Sequence, residues 1–132
     1  MFLNQLSLEE KEAFLSLSVN AAKANGEFTA EEHLMVEEYC REMGIAFFDM
    51  SETKKIDDIV EVYKNSTEQH KKIVVFEILG LMFADGNYDS QEKEFVLDFV
   101  GKIGVTQDEV DKELGLLEEY LGIVKKIAEQ IG

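Results

Sequence analysis

Residues 24–32 read ANGEFTAEE, and residues 84–92, sixty positions later, read ADGNYDSQE. The two stretches share the alanine, the glycine, an aromatic residue, a helix-capping residue and the final glutamate. Further on at the same shift, Val36 matches Val96 and Gly44 matches Gly104. Self-similarity at a fixed spacing is the sign of an internal repeat. The sequence therefore predicts two copies of one unit, over residues 13–45 and 73–105.

Helix-start signals recur along the chain. A Ser or Thr cap with Glu or Gln three residues later forms a capping box, which satisfies two free backbone amides. Such pairs begin at Ser7, Thr29, Ser66 and Thr106, and Asp89 has the same spacing to Glu92. Apolar residues then recur at helical spacing, and strand signals are nearly absent. The pattern predicts six helices, at about 8–25, 30–43, 52–63, 67–85, 90–103 and 107–130.

The helices at 8–25 and 67–85 are the most apolar, and each leads into one of the glycine-containing loops. We expect an all-α fold in which these two helices lie at the centre, related by a pseudo-twofold axis. The amphipathic partner of each would pack around them, because its apolar stripe needs a surface to cover. The helix at 107–130 would flank this arrangement. Residues 1–132 suit a single domain by length.

Composition narrows the function classes. The chain carries 28 acidic and 13 basic side chains, a net charge of −15, and this acidity argues against a nucleic-acid partner. The lone cysteine excludes a multi-cysteine zinc site. No apolar run approaches the roughly 18–20 residues that span a membrane, so we expect no integral membrane segment. A cytoplasmic location is the default expectation for such a chain.

The second copy, FADGNYDSQEK at residues 83–93, resembles the signature of the TerB-like family, all-helical proteins named from bacterial tellurite resistance. In that family a helix runs into Asp-Gly, an acidic helix start follows, and the motif occurs twice. The resemblance covers about residues 10–45 and 70–111. It implies a duplicated helical fold, a link to tellurite or other stress responses, and acidic residues that have been proposed to bind a divalent metal.

Carried over position by position, the resemblance implies metal ligands at Asp85, Asp89 and Glu92 in the second copy and at Glu32 in the first. The residues themselves offer a second argument, since Asp85, Asn87 and Asp89 alternate in one loop. Hard cations such as Ca²⁺ or Mg²⁺ prefer several oxygen ligands placed close together. Helix capping explains most of the same side chains, so capping and metal binding both remain open.

Other titratable residues have less specific patterns. Glu77 lies in an apolar run, where we expect a narrow solvent-facing or lysine-paired stripe. Cys40 is expected to be a small apolar core residue, and His70 to be exposed to solvent. The acidic run at 108–113 is expected to form a solvated helix face. None of these residues forms a catalytic triad or a nucleotide-binding motif.

These observations favour a non-enzymatic cytoplasmic module of the TerB-like type, related to stress or tellurite response. Its acidic surface would bind a partner protein, a divalent cation, or both. One alternative is a metal-dependent enzyme built on the loop carboxylates with Glu77. Another is a structural subunit that forms a homodimer through the last helix. The apolar residues of that dimer face would be Leu114, Leu117, Leu121 and Val124.

Overall fold

A computed structural model describes residues 1–24, 26, 28–84 and 90–132 of the chain. Within these residues the chain forms six α-helices and a short 3-10 helix, and it forms no strand. The 3-10 helix is Leu3–Gln5, and the α-helices are α1 (Leu8–Lys23), α2 (Ala30–Met43), α3 (Ile56–Lys64), α4 (Glu68–Ala84), α5 (Ser90–Lys102) and α6 (Gln107–Ile131). The all-α prediction is confirmed, and five of the six helices begin within one residue of the predicted start.

The capping signals account for these starts. Complete capping boxes join Ser7 to Glu10 and Thr29 to Glu32. Thr106 accepts a hydrogen bond from the third amide of α6, which is half of the predicted box. At α4 the cap lies one residue later than predicted. The Thr67 hydroxyl accepts the hydrogen bond from the His70 amide, and the Ser66 hydroxyl donates to a different residue.

The helix that begins later than predicted is α3. Residues 50 and 51 form a turn, in which Asp49 accepts hydrogen bonds from the backbone amide and the hydroxyl of Ser51, at 2.9 and 2.6 Å. A short side chain that bonds to the backbone two residues later stabilises a turn in place of a helix. The helix then begins after Lys55, which provides no side-chain cap.

Two helix ends have the same geometry at positions sixty residues apart. Gly44 follows α2 with a φ of +72°, and Gly104 follows α5 with a φ of +86°. In each case the next amide donates to the carbonyl five residues before it, at 2.9 and 3.2 Å. Left-handed glycines close helices in this way. Gly86, the glycine of the second loop, lies outside the described residues.

The core is built mainly from α1 and α4. Each contributes seven buried apolar side chains, which are Ala13, Phe14, Leu15, Leu17, Val19, Ala21 and Ala22 from α1, and Ile73, Val74, Val75, Ile78, Leu79, Leu81 and Met82 from α4. The other helices place one apolar face on them: α1 contacts α2, α3 and α5, and α4 contacts α5 and α6. In the described part of the chain, no helix is both long and apolar enough to cross a bilayer.

The last helix, α6, is packed on the domain in its first half and exposed in its second half. Its first half packs on α4, where a methyl group of Leu117 lies beside Gly80, and a Cβ placed on that glycine would meet it at 3.7 Å, an ordinary van der Waals contact. From residue 118 to residue 132 every side chain is exposed. At 1.5 Å per residue, this exposed half extends about 20 Å beyond the packed half.

Candidate functional site

The structure tests the predicted metal ligands only in part. Asp85, Asn87 and Asp89 lie outside the described residues. Glu32 is buried and accepts a hydrogen bond from the Thr29 amide at 3.0 Å, so its carboxylate belongs to the capping box. Glu92 lies in the first turn of α5 and is 1% exposed.

Metal binding therefore depends on residues that the structure does not describe. Across residues 1–24, 28–84 and 90–132, no three His, Cys, Asp or Glu side chains are grouped so that they could hold a metal ion. A site for Ca²⁺ or Mg²⁺ needs several such oxygen ligands. The divalent-cation site at the loop 85–89 stays a prediction.

Glu77 is buried, so the expected solvent-facing or lysine-paired stripe is wrong. Its carboxylate accepts the Phe2 amide at 2.8 Å and lies 2.8 Å from the Met1 amine. Glu42 of α2 accepts from the same amine at 2.8 Å and from the Leu3 amide at 3.1 Å. The first three residues cover this face of α4, and the two carboxylates hold them there.

Glu10 lies at the centre of a polar cluster between α1, α3 and α4. It accepts hydrogen bonds from the Ser66 hydroxyl at 2.6 Å and the Ser7 amide at 2.8 Å, and His70 Nδ1 lies 2.8 Å away. Tyr63 donates to the Glu10 carbonyl at 2.6 Å. Burial acts to raise the pKa of the Glu10 carboxyl, but these hydrogen bonds outweigh it and lower the pKa.

This cluster corrects the expectation for His70. Its side chain is 25% exposed and faces Glu10, so it is not a solvent-exposed surface residue. Glu10 was recognised from the sequence as a capping residue, which it is. The partners that it gains across the fold lie more than fifty residues away, and no local pattern points to them.

One groove, of about 740 Å³, lies beside α2, and its lining includes Cys40, His33 and residues 45–51. Burial raises the pKa of the Cys40 thiol, and the nearby Glu37 acts in the same direction. A catalytic cysteine needs the opposite shift, because the thiolate is the nucleophile. The half-buried position of Cys40 agrees with a packing role.

A second groove, of about 600 Å³, lies between the N-terminal residues, α4 and α6. Its walls are mainly apolar and include Phe2, Phe76, Leu116 and Tyr120. Glu113 also lines it. That side chain is 6% exposed, and its Oε2 atom has no hydrogen-bond partner among the described residues.

The environment of Glu113 differs from that of an ordinary surface acid. Burial raises its pKa to about 7, the neighbouring Glu109 adds to the rise, and Lys72 opposes it. The expectation of a solvated face over 108–113 is therefore wrong at this residue. The signal was present in the sequence: Glu113 is three residues after Val110 and four before Leu117, which places it near the packed face of α6.

Beyond this groove, the exposed half of α6 carries an apolar face. We call this face the α6 stripe; its residues are Tyr120, Leu121, Val124, Ile127 and Ile131, which are 39–83% exposed. Two of the four predicted dimer residues, Leu121 and Val124, belong to it. Leu117 is buried within the domain and Leu114 is half-buried, so the predicted face begins about two turns before the exposed one. The groove and the stripe meet at Tyr120.

No family profile, curated protein or solved structure matches the chain.

Proposed function

We propose that this chain is a non-enzymatic helical module that binds another protein chain through the α6 stripe. The observation that carries the proposal is the exposure of five large apolar side chains along one face of α6, opposite a face that bears Glu119, Lys126 and Glu129. Contiguous apolar patches on a protein surface mark interaction sites, whereas single exposed apolar residues are ordinary.

The described carboxylates support a role in binding over a role in catalysis. Glu10, Glu32 and Glu77 each accept hydrogen bonds from the protein's own groups and stabilise its helices or its N-terminal residues. A general base or metal ligand needs a lone pair directed at a substrate or an ion. The metal-dependent enzyme is therefore the less favoured alternative.

The TerB-like duplication is part of the proposal and rests on the sequence resemblance. Helix bounds agree with it, since α1 and α4 begin sixty residues apart, as do α2 and α5. Glu10 and His70 are also sixty residues apart, and they contact each other. Two equivalent positions of a duplicated unit meet in this way when the pseudo-twofold axis passes between them.

Two features of the proposal follow from composition and resemblance alone. The net charge of −15 favours a cytoplasmic module whose acidic surface keeps it dispersed and selects against acidic partners. A link to stress or tellurite response, and a cation at the second loop, follow from the TerB-like resemblance. The stress-response link and the cation depend on residues 84–92, and both are independent of the α6 stripe.

Site-specific photocrosslinking in cells that express the chain tests the interaction surface. The photoreactive residue p-benzoylphenylalanine replaces Tyr120, which lies on the stripe. A matched variant carries it at Glu119, which is also exposed but lies about 100° away around the helix. We expect a discrete protein adduct from position 120 and none from position 119.

The yield of adduct at each position tests the binding surface, and the identity of the cross-linked protein is a separate result. Adducts of equal yield from both positions, or none from either, would contradict the proposed surface. Mass spectrometry of a specific adduct then names the partner chain, whether it is a second copy of this protein or another protein.

A further inference from the structure

We propose that the groove of about 600 Å³ between the N-terminal residues, α4 and α6 binds a small amphiphilic amine, which carries a protonated amino group on an aliphatic body. In this complex the ammonium group donates a hydrogen bond to the Glu113 carboxylate, and the aliphatic body lies on Phe76 and Leu116. We call this groove the apolar groove. It shares only Tyr120 with the α6 stripe, so this ligand is independent of the protein partner proposed for the stripe.

The apolar groove changes character along its length. Its two helical walls run in the same direction, because Lys72 lies 3.7 Å from Glu109 near their starts and Gly80 lies beside Leu117 farther along. The polar wall residues of α4 and α6 lie in the earlier turns and are Gln69, Lys72, Glu109 and Lys112. The wall residues of the later turns are Phe76, Leu116 and Tyr120. A ligand with one polar end and one apolar end matches this order.

Glu113 lies between the polar and the apolar part, four residues after Glu109 and three before Leu116. Its side chain lines the groove and is only 6% exposed, and its Oε2 atom has no hydrogen-bond partner in the part of the chain that the structure describes. The ammonium group of Lys72 pairs with Glu109 instead. A buried acceptor without a donor destabilises the folded chain, so a ligand that donates to it gains this free energy on binding.

The apolar walls provide the second part of the site. Three large side chains of the groove, Phe2, Leu116 and Tyr120, are 40–58% exposed, and an aliphatic ligand would cover them. A volume of about 600 Å³ falls within the range of small-molecule sites, which combine mainly apolar walls with a few polar groups. From Glu113 to Tyr120 the helix rises about 10 Å, which suits an aliphatic chain of medium length.

Charge favours an amine over other amphiphiles that fit the groove. Burial raises the pKa of Glu113 to about 7, so about half of the molecules carry an ionised carboxylate at neutral pH. An ammonium group stabilises this form through a charge-assisted hydrogen bond, which is about twice as strong as a neutral one. A fatty carboxylate would add negative charge beside Glu113 and Glu109 in a chain of net charge −15. We therefore expect affinity to fall from amine to alcohol to carboxylate.

The affinity for an amine should depend on pH. The other charged groups that line the groove are the Met1 amine, Lys72, Glu109 and Lys112. Burial acts to lower the pKa of the Met1 amine, but hydrogen bonds to Glu42 and Glu77 outweigh it and raise the pKa. Because an amine pairs with ionised Glu113, its binding displaces the proton of the neutral form. The affinity should rise about tenfold from pH 6 to pH 8, as the ionised fraction does.

NMR titrations that follow the backbone amides test the site with three probes, octylamine, octanol and octanoate. They share one aliphatic body and differ only in the head group. At pH 8 and about 0.15 M salt, which screens general attraction to the acidic surface, we expect octylamine to bind with a dissociation constant of about 10⁻⁴–10⁻³ M. The amides of Phe76 and Leu116 should shift. Octanol should bind about fivefold more weakly and octanoate at least tenfold more weakly.

Two pairs of variants separate the head-group contact from the apolar contact. Glu113→Gln should weaken octylamine binding about tenfold at pH 8, remove its pH dependence and leave octanol within about threefold. Glu118→Gln, at an exposed position of the same helix, should keep wild-type affinity. Leu116→Ala should weaken all three probes about threefold, whereas Ile123→Ala, equally exposed but outside the groove, should not.

Urea denaturation checks that each variant is folded, and Glu113→Gln removes no described hydrogen bond. Octylamine that causes no shifts at the groove would overturn the proposal, as would equal affinity for the three probes or tighter binding of octanoate. Octylamine affinity that stays the same in Glu113→Gln would overturn it too. None of these results affects the photocrosslinking test of the α6 stripe, so the two proposals fail separately.

Discussion

Glu10 and Glu113 are both buried carboxylates at the inner face of a helix, yet their surroundings differ in every respect. Glu10 lies in the first turn of α1, where a hydroxyl, an amide and an imidazole surround it, and its pKa is lowered. Glu113 lies in the second turn of α6 beside an apolar groove, and its pKa is raised to about 7. Burial alone does not decide whether a carboxylate stabilises a fold. The hydrogen-bond donors around the carboxylate decide whether it stabilises or destabilises the folded chain.

Among these tests, we expect removal of the Glu10 side chain to lower the free energy of unfolding most. Glu10→Ala removes the acceptor of the Ser7 amide and of His70, and it leaves the Ser66 hydroxyl only the longer bond to the Val62 carbonyl, so we expect a loss of about 2–4 kcal/mol in the free energy of unfolding at pH 7. Urea denaturation measures it. Glu9→Ala, in the same helical turn but exposed, is the control and should cost no more than about 0.5 kcal/mol.

The same variant has a defined pH dependence. Because the pKa of Glu10 is lowered in the folded state, its contribution is present above the unfolded value near 4.5 and is lost as pH falls through the folded pKa. The difference between wild type and Glu10→Ala should therefore shrink on acidification below about pH 4. A difference that stays constant down to pH 2 would show that the charge on Glu10 is unimportant.

Tyr63→Phe gives a smaller effect on the same cluster. The Tyr63 hydroxyl donates to the buried Glu10 carbonyl at 2.6 Å, and its ring lies edge-on to Phe99 with centroids 5.9 Å apart. Phenylalanine keeps the ring contact and removes the donor, so we expect a loss of about 1–2 kcal/mol. Thermal unfolding at neutral pH detects it. Tyr120→Phe, at an exposed position, should leave the midpoint unchanged in dilute, monomeric protein.

Glu113→Gln tests the other half of the comparison, and here we expect stabilisation. A carboxyl with a raised folded pKa binds its proton more tightly in the folded chain, so wild-type stability falls as pH rises from about 4.5 to about 7. The glutamine variant lacks this slope and should exceed wild type by about 1 kcal/mol at pH 8, with equality near pH 4.5.

Urea denaturation at four pH values between 4.5 and 8 measures this slope. Glu118→Gln, an exposed change on the same helix, should keep the wild-type pH dependence. If Glu113→Gln also keeps it, or is less stable than wild type at pH 8, then Glu113 has a donor in the folded protein and resembles Glu10 after all.

The smallest expected effect concerns the second loop, where the sequence predicts a weak cation site. Calorimetric titration of Ca²⁺ and Mg²⁺ into wild type should give heat that Asp85→Ala abolishes, with dissociation constants of about 10⁻⁴–10⁻³ M because the loop offers few ligands. Heat that persists in Asp85→Ala, or no heat from either cation, would show that the loop acids only cap helices, as Glu32 does in the first copy.

Local patterns predicted most of the fold. The caps at Ser7 and Thr29 and the glycine after α2 act within one helical turn, so their positions in sequence suffice to place helix ends. The start of α3 was predicted too early because an aspartate turn competes with the helix at the same residues.

The environments of the acidic residues were harder to predict. Glu77 binds the Phe2 amide seventy-five positions away, and Glu10 meets His70 sixty positions away. Such partners depend on how the helices pack, which one sequence does not display. Glu113 is different, because its helical spacing from Leu117 was visible and only the abundance of acids around it suggested a solvated face.

The exposed half of α6 has one further consequence, for the exchange of its backbone amides with solvent. A helix of about fourteen residues without tertiary contacts is marginal in water, because nucleation is costly and only intrahelical bonds repay it. Amides of residues 119–131 should therefore exchange hydrogen for deuterium far faster than those of residues 110–117, which open only with the domain. Slower exchange at 119–131 in concentrated protein would then report, residue by residue, how far along the helix any partner reaches.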